Sequence, residues 1–128
     1  VGLVIVSHSQ KLAEGVKELA KQMAPDVPIE PAGGTSDGRL GTDAVLIQQA
    51  VEKLSDCDGV LVLMDLGSAV LSAQTALEFL DESVRAKVAL ADSPLVEGAV
   101  AAAVQASLGS PLESVKEVAE QSAAMKKL

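Results

Sequence analysis

Two residues stand where they could handle a phosphoryl group. His8, the only histidine, follows the apolar run Leu3–Val6 after a single serine, Ser7, and Asp65 directly follows the apolar run Gly59–Met64. If Asp65 accepts the Nδ1 proton of His8, the imidazole is held in one tautomer and its Nε2 lone pair is free to attack phosphorus. Transfer also needs donors for the three equatorial phosphoryl oxygens. Backbone amides of Gly67, Ser68 and Ala69 at the start of a helix can supply them, and the hydroxyls of Ser7, Ser9 and Thr42 can add to the set. Arg39, a single arginine in the polar stretch GGTSDGRLG, reads as a solvated charge and stays outside the site. That stretch has neither the Gly-Lys-Ser/Thr of a nucleotide-binding P-loop nor the GxGxxG order of a dinucleotide fingerprint. No histidine and cysteine cluster with ligand spacing is present to hold zinc.

The elements that must deliver His8 and Asp65 follow from periodicity. Leu3–Val6 predicts a short buried strand, and Leu12, Val16, Leu19 and Met23 recur at helical spacing after it. Pro25, Pro28 and Pro31 bracket a second strand at 27–30, placed at a sheet edge because proline lacks the backbone donor. Thr42 offers a cap to a helix running to about Leu54, and GVLVLM at 59–64 predicts a central parallel strand covered on both faces. Ser68 caps a third helix reaching Leu80, and Lys87–Ala91 forms a fourth strand. Ser93 with Pro94 opens a fourth helix, and Ser110, Pro111 and Glu113 a fifth. Lys126 and Lys127 suit the negative end of that last helix. Strands alternating with helices imply right-handed βαβ units. The expected fold is a doubly wound, mostly parallel α/β sheet of flavodoxin-like order 2-1-3-4 with helices on both faces. Its site then lies beyond the carboxyl ends of strands 1 and 3, where successive crossovers leave for opposite faces.

Composition narrows the rest. The 128 residues predict one domain, 1–128, and a net charge of −8 with no Trp or Tyr argues against a nucleic-acid partner. Cys57 is the only cysteine, which fits a reducing cytoplasm. The longest apolar stretch, from Leu95 to Leu108, is interrupted by Glu97 and Gln105 and falls short of a membrane span. LVEGAVAAAVQASL is apolar nearly all round, so its helix is buried on more than one side, either within the domain or against a second subunit, and a homodimer is the favoured reading.

Four segments carry a family resemblance: LVIVSHS around His8, GTDA at Gly41–Ala44, MDLGSA at Met64–Ala69 and PLVEGA at Pro94–Ala99. Together they resemble the mannose-type IIA domain of the phosphoenolpyruvate-dependent phosphotransferase system, in the branch that serves dihydroxyacetone kinase. The resemblance implies a three-layer flavodoxin-like fold and a phosphohistidine at the Nε2 atom of His8, with Asp65 beside it. It implies HPr as donor and ADP bound to a DhaL subunit as acceptor, followed by phosphorylation of dihydroxyacetone held on DhaK. It also implies no cofactor in this subunit, with ADP, ATP and magnesium residing on DhaL. The compact DLGSA after strand 3 favours this branch over sugar uptake, where a IIB protein would be the acceptor. A receiver domain would carry an acidic pair where Ser7 and His8 stand, and a flavin module would want aromatic side chains that are missing here.

Overall fold

The two apolar runs become neighbouring strands. In the computed structural model, which describes residues 1–128, β1 (Gly2–Ser7) and β3 (Val60–Met64) pair in parallel with Val6 opposite Met64. β2 (Ile29–Gly33) lies on the outer side of β1 and β4 (Val88–Ala91) on the outer side of β3, giving the parallel order β2-β1-β3-β4. The expected order 2-1-3-4 is the observed one. β1 and β3 are buried along their whole length because each faces helices on both sides. Leu3, Ile5, Leu61 and Leu63 point into one core with α1 (Gln10–Met23), α5 (Leu95–Ser107) and α6 (Leu112–Gln121). Val4, Val6, Val60, Val62 and Met64 point into the other with α2 (Ala44–Lys53) and α3 (Gly67–Glu78). The period of two thus splits a continuous apolar run between two cores.

Several boundaries differ from expectation for physical reasons. The second strand runs later, through Pro31, which stands opposite Ile5. An edge strand has one unpaired side, so the missing donor of Pro31 is tolerated there. Asp43, not Thr42, caps α2 by accepting from the Val45 amide at 2.9 Å. Ser68 lies inside the first turn of α3, whose N-cap is Leu66 with no side-chain cap. Neither Ser93 nor Ser110 caps a helix: Pro94 and Pro111 occupy the N-cap positions of α5 and α6, and the Ser110 hydroxyl accepts from Gln105 instead. A one-turn helix α4 (Glu82–Arg85) and a final 3-10 turn at Ser122–Ala124 carry no periodicity that would announce them. Lys127 pairs with Glu97 at 3.0 Å rather than serving a helix end.

On α1 the buried face is built from small residues, Ala13, Val16 and Ala20, while Leu12, Leu19 and Met23 stay largely exposed. The helix packs close to β2 and α5, and only small side chains fit beneath it. The apolar character of α5 has a similar explanation. Gly98, Ala99, Ala102 and Ala103 are buried as the helix lies between α1 and α6, so its many-sided burial is met inside the domain.

The most constrained approach is between the end of β2 and the first turn of α1. A Cβ on Gly33 would lie 2.4 Å from the Ser9 carbonyl oxygen and 2.8 Å from the Gln10 Cα. Both are backbone atoms that cannot swing aside. Gly33→Ala is therefore expected to destabilise the fold by about 2 kcal/mol, visible as a lower thermal midpoint. An unchanged midpoint would mean that the two segments separate easily.

Candidate functional site

His8 is the single residue between the end of β1 and Ser9, the N-cap of α1. The strand fixes its direction, and the cap fixes where the chain turns, since the Ser9 hydroxyl accepts from the Leu12 amide at 3.1 Å. Asp65 and Leu66 form the corresponding hinge between β3 and α3, and the Asp65 amide donates to the Val6 carbonyl at 3.1 Å. α1 leaves β1 toward β2 on one face, and α3 leaves β3 toward β4 on the other. The two hinges therefore open a crevice at the point where the winding reverses.

In that crevice the His8 imidazole and the Asp65 carboxylate meet, with Nδ1 2.9 Å from Oδ1. The other ring nitrogen, Nε2, lies 2.5 Å from the Ser68 hydroxyl. A carboxylate can only accept, so Nδ1 carries the proton, and in the neutral ring Nε2 accepts from Ser68. The tautomer follows from the partners on either side.

Asp65 accepts three further hydrogen bonds: from the Leu66 amide to Oδ1 at 2.8 Å, and from the His8 amide and the Ser7 hydroxyl to Oδ2 at 2.9 Å each. Burial alone would raise its pKa. The His8 amide and imidazole and the Ser7 hydroxyl outweigh that and hold it below the usual carboxylate range. Asp65 is thus an anion at neutral pH, aimed at the Nδ1 proton of the His8 ring.

The other residues named from the sequence divide. The amides of Gly67 and Ser68 open α3 without a backbone partner, in the turn that brings the Ser68 hydroxyl to Nε2. The Ala69 amide is already committed to the Leu66 carbonyl at 3.0 Å, which removes it from the set of free donors. Ser7 is fully buried, its proton is given to Asp65, and its oxygen accepts from the Ser9 amide at 3.0 Å. It cannot also reach a phosphoryl group. Ser9 stays next to His8 with its hydroxyl proton uncommitted. The Thr42 hydroxyl is paired with that of Ser72 on α3 at 2.6 Å, with no hydrogen bond to His8.

The sequence reading missed Ser72, one helical turn beyond Ser68 on α3; the four-residue spacing of the two serines was the available signal. It also missed how the glycine loop is fastened. The Gly34 amide donates to the Ser7 carbonyl at 3.1 Å and the Gly41 amide to the His8 carbonyl at 2.8 Å, the latter from a φ of 142° that favours glycine. Arg39 pairs with Asp37 at 2.8 Å and is largely exposed. No three His, Cys, Asp or Glu side chains converge, and no helix is long and apolar enough to cross a membrane.

With this geometry in place, similarity to known proteins gains a specific meaning. The family profile described as EIIA-man, PTS system fructose IIA component, matches residues 2–116. A phosphoryl donor subunit DhaM of PEP-dependent dihydroxyacetone kinase from Escherichia coli is 51% identical over 119 residues, covering 90% of this chain and 25% of that protein. The corresponding subunit of kinase 2 from Listeria innocua is 44% identical over 116 residues, covering 90% of this chain and 93% of that protein. The chain thus spans about a quarter of the first relative and nearly all of the second. The crystal structure of a protein of unknown function, EF1359, superposes with a TM-score of 0.89 at 36% identity, covering 99% of this chain and 97% of the other.

Proposed function

The chain belongs to the EIIA-man family of phosphotransferase-system IIA components, and from that membership we propose that it is the phosphohistidine carrier of a PTS-dependent dihydroxyacetone kinase. In this reading His8 accepts a phosphoryl group from phospho-HPr and passes it to ADP bound by a DhaL subunit, which serves DhaK and its dihydroxyacetone. The observation that carries the reading is His8 held between Asp65 at Nδ1 and Ser68 at Nε2. Similarity to the DhaM subunits of Escherichia coli and Listeria innocua supports the branch.

The geometry supports a specific course for the transfer. The Nε2 lone pair attacks phosphorus in line, the N–P bond of the donor phosphohistidine breaks, and its bonding pair returns to the donor ring. Positive charge appears on the His8 ring at the moment of attack, and the Asp65 anion stabilises it through the Nδ1 proton. The Ser68 hydroxyl turns from Nε2 to a phosphoryl oxygen, joined there by the amides of Gly67 and Ser68 and by the Ser9 hydroxyl. Discharge reverses these steps, with an oxygen of the ADP β-phosphate as nucleophile. Nucleotide and magnesium belong to DhaL, so the carrier itself uses no cofactor. Leu40 and Leu66 are strongly exposed beside the crevice and offer apolar surface to the docking partners. The reading includes a homodimer, for which Leu12, Leu19 and Met23 on α1 provide exposed apolar side chains.

The test is to incubate the protein with phosphoenolpyruvate, enzyme I and HPr, locate the acid-labile adduct by mass spectrometry, and add ADP-loaded DhaL. Label on His8 that moves to the nucleotide is the expected result. Label that stays would redirect the acceptor toward a IIB protein of a mannose-type transporter, and no label at all would overturn the carrier reading.

A further inference from the structure

We propose that Ser7 is a positioning residue whose buried hydroxyl locks the Asp65 carboxylate in the rotation that presents Oδ1 to His8 Nδ1. The proposal rests on the carrier reading for its consequence but not for its geometry. A carboxylate that met the imidazole alone could turn about its last side-chain bond and still accept a hydrogen bond, so the ring direction would be loosely held. Here Oδ2 is engaged by Ser7 and by the His8 amide, while Oδ1 is shared by Nδ1 and the Leu66 amide. Two of those donors are backbone groups set by the neighbouring strand ends. Besides the imidazole itself, Ser7 is the one side-chain donor on Asp65.

Ser7 also faces the helix that follows. Its oxygen accepts the amide of Ser9, the N-cap of α1, at 3.0 Å. One hydroxyl therefore ties the start of α1 to the carboxylate across the strand pair, and His8 lies between the two anchor points. The residue is wholly excluded from solvent, so water cannot take over either bond when the hydroxyl is removed. A surface serine used only as a strand terminator would have neither partner.

The carboxylate supplies a readout that a purely structural role would leave alone. Ser7 is among the groups that depress the Asp65 pKa. The titratable group hydrogen-bonded to Asp65 is His8, from the β1–α1 hinge, and Asp92, from the β4–α5 connection, lines the same cleft. Both are unchanged in a Ser7 variant. Ser7→Ala and Ser7→Cys should move the Asp65 titration upward, followed by carboxyl carbon NMR on the unphosphorylated protein. The imidazole nitrogen shifts should report a smaller fraction of the Nδ1-protonated tautomer, and the rate of phosphorylation from HPr should fall about tenfold. Cys nearly keeps the volume but is a weak donor, whereas Ser7→Thr keeps the hydroxyl and should restore the Asp65 titration and the tautomer.

A Cys variant that titrates and labels like the parent overturns the proposal, even where the added methyl of Thr proves too large for the buried position. So does an Ala variant in which phosphorylation slows while the Asp65 titration and the His8 tautomer stay put. Should the parent protein take no label from HPr, the carrier reading fails while the NMR comparison still decides the role of Ser7.

Discussion

His8→Ala is expected to reduce phosphoryl acceptance from HPr to background, while the fold survives nearly intact. No other histidine exists to take the group. The hydroxyls of Ser9 and Ser68 flank the position, but neither has a base placed to activate it once the imidazole is gone. Stability should change by about 1 kcal/mol or less, because Asp65 keeps the Ser7 hydroxyl and the amides of residues 8 and 66. The pH dependence of stability gives an internal check. A carboxylate whose folded pKa is depressed contributes stability that is present at neutral pH and lost as pH falls through its folded pKa. The Asp65 depression has both backbone and side-chain contributions from His8, so the variant should lose part of that slope and keep the rest. Mass spectrometry of the labelled protein and denaturant melts at neutral and acidic pH measure the two effects separately. A variant that still takes up label would remove His8 from the mechanism.

The elements that position this pair were legible in the sequence because strong physical constraints select them. LVIV and GVLVLM are too apolar for anything but the centre of a sheet covered on both sides, and each ends at one polar hinge. Alternation and handedness led to a parallel sheet, for which the flavodoxin-like order 2-1-3-4 was the natural choice. Details set by close packing or by competition among small polar residues were not legible. Leu12, Leu19 and Met23 have helical spacing, yet the face that fits against β2 and α5 is the alanine-rich one, and hydrophobicity alone ranks the two faces wrongly. Thr42 and Asp43 are both good caps, and only the path of the loop decides for Asp43. At the site the choice of His8 and Asp65 came from strand ends. The division of labour among the hydroxyls depends on which of them can be buried. Ser7 and Ser9 look alike in SHS, but Ser7 is the last residue of β1 and is buried against Asp65, whereas the chain has turned by Ser9, which caps α1. The carboxylate that organises this arrangement is also where a nearly isosteric change should do the most damage.

Asp65→Asn removes one charge and exchanges one acceptor for a donor, and no rotation of the amide satisfies the surrounding groups. With the amide nitrogen at the Oδ2 position, it faces the Ser7 hydroxyl and the His8 amide, both donors. With the nitrogen at the Oδ1 position, it faces the Leu66 amide and drives the imidazole to its other tautomer, in which Nδ1 accepts and Nε2 carries the proton. That tautomer has no lone pair at Nε2, the atom that attacks in the proposed carrier mechanism. The first arrangement keeps the tautomer but leaves buried donors unpaired and supplies no negative charge when the ring becomes cationic. Either way phosphorylation from HPr should fall by about 10²-fold, and stability at neutral pH by about 2 kcal/mol. The two effects separate on acidification. Protonation turns the parent carboxylate into a neutral group with a donor of its own, so the parent loses what Asn has already lost. The depressed pKa of Asp65 means that this happens only as pH falls below the usual carboxylate range. Melts of the two proteins should therefore differ at neutral pH and converge in acid. A constant offset across that range would assign the loss to packing rather than to the carboxylate charge. An Asn variant that labels at the parental rate would show that the tautomer of His8 is held by Ser68 and the backbone alone.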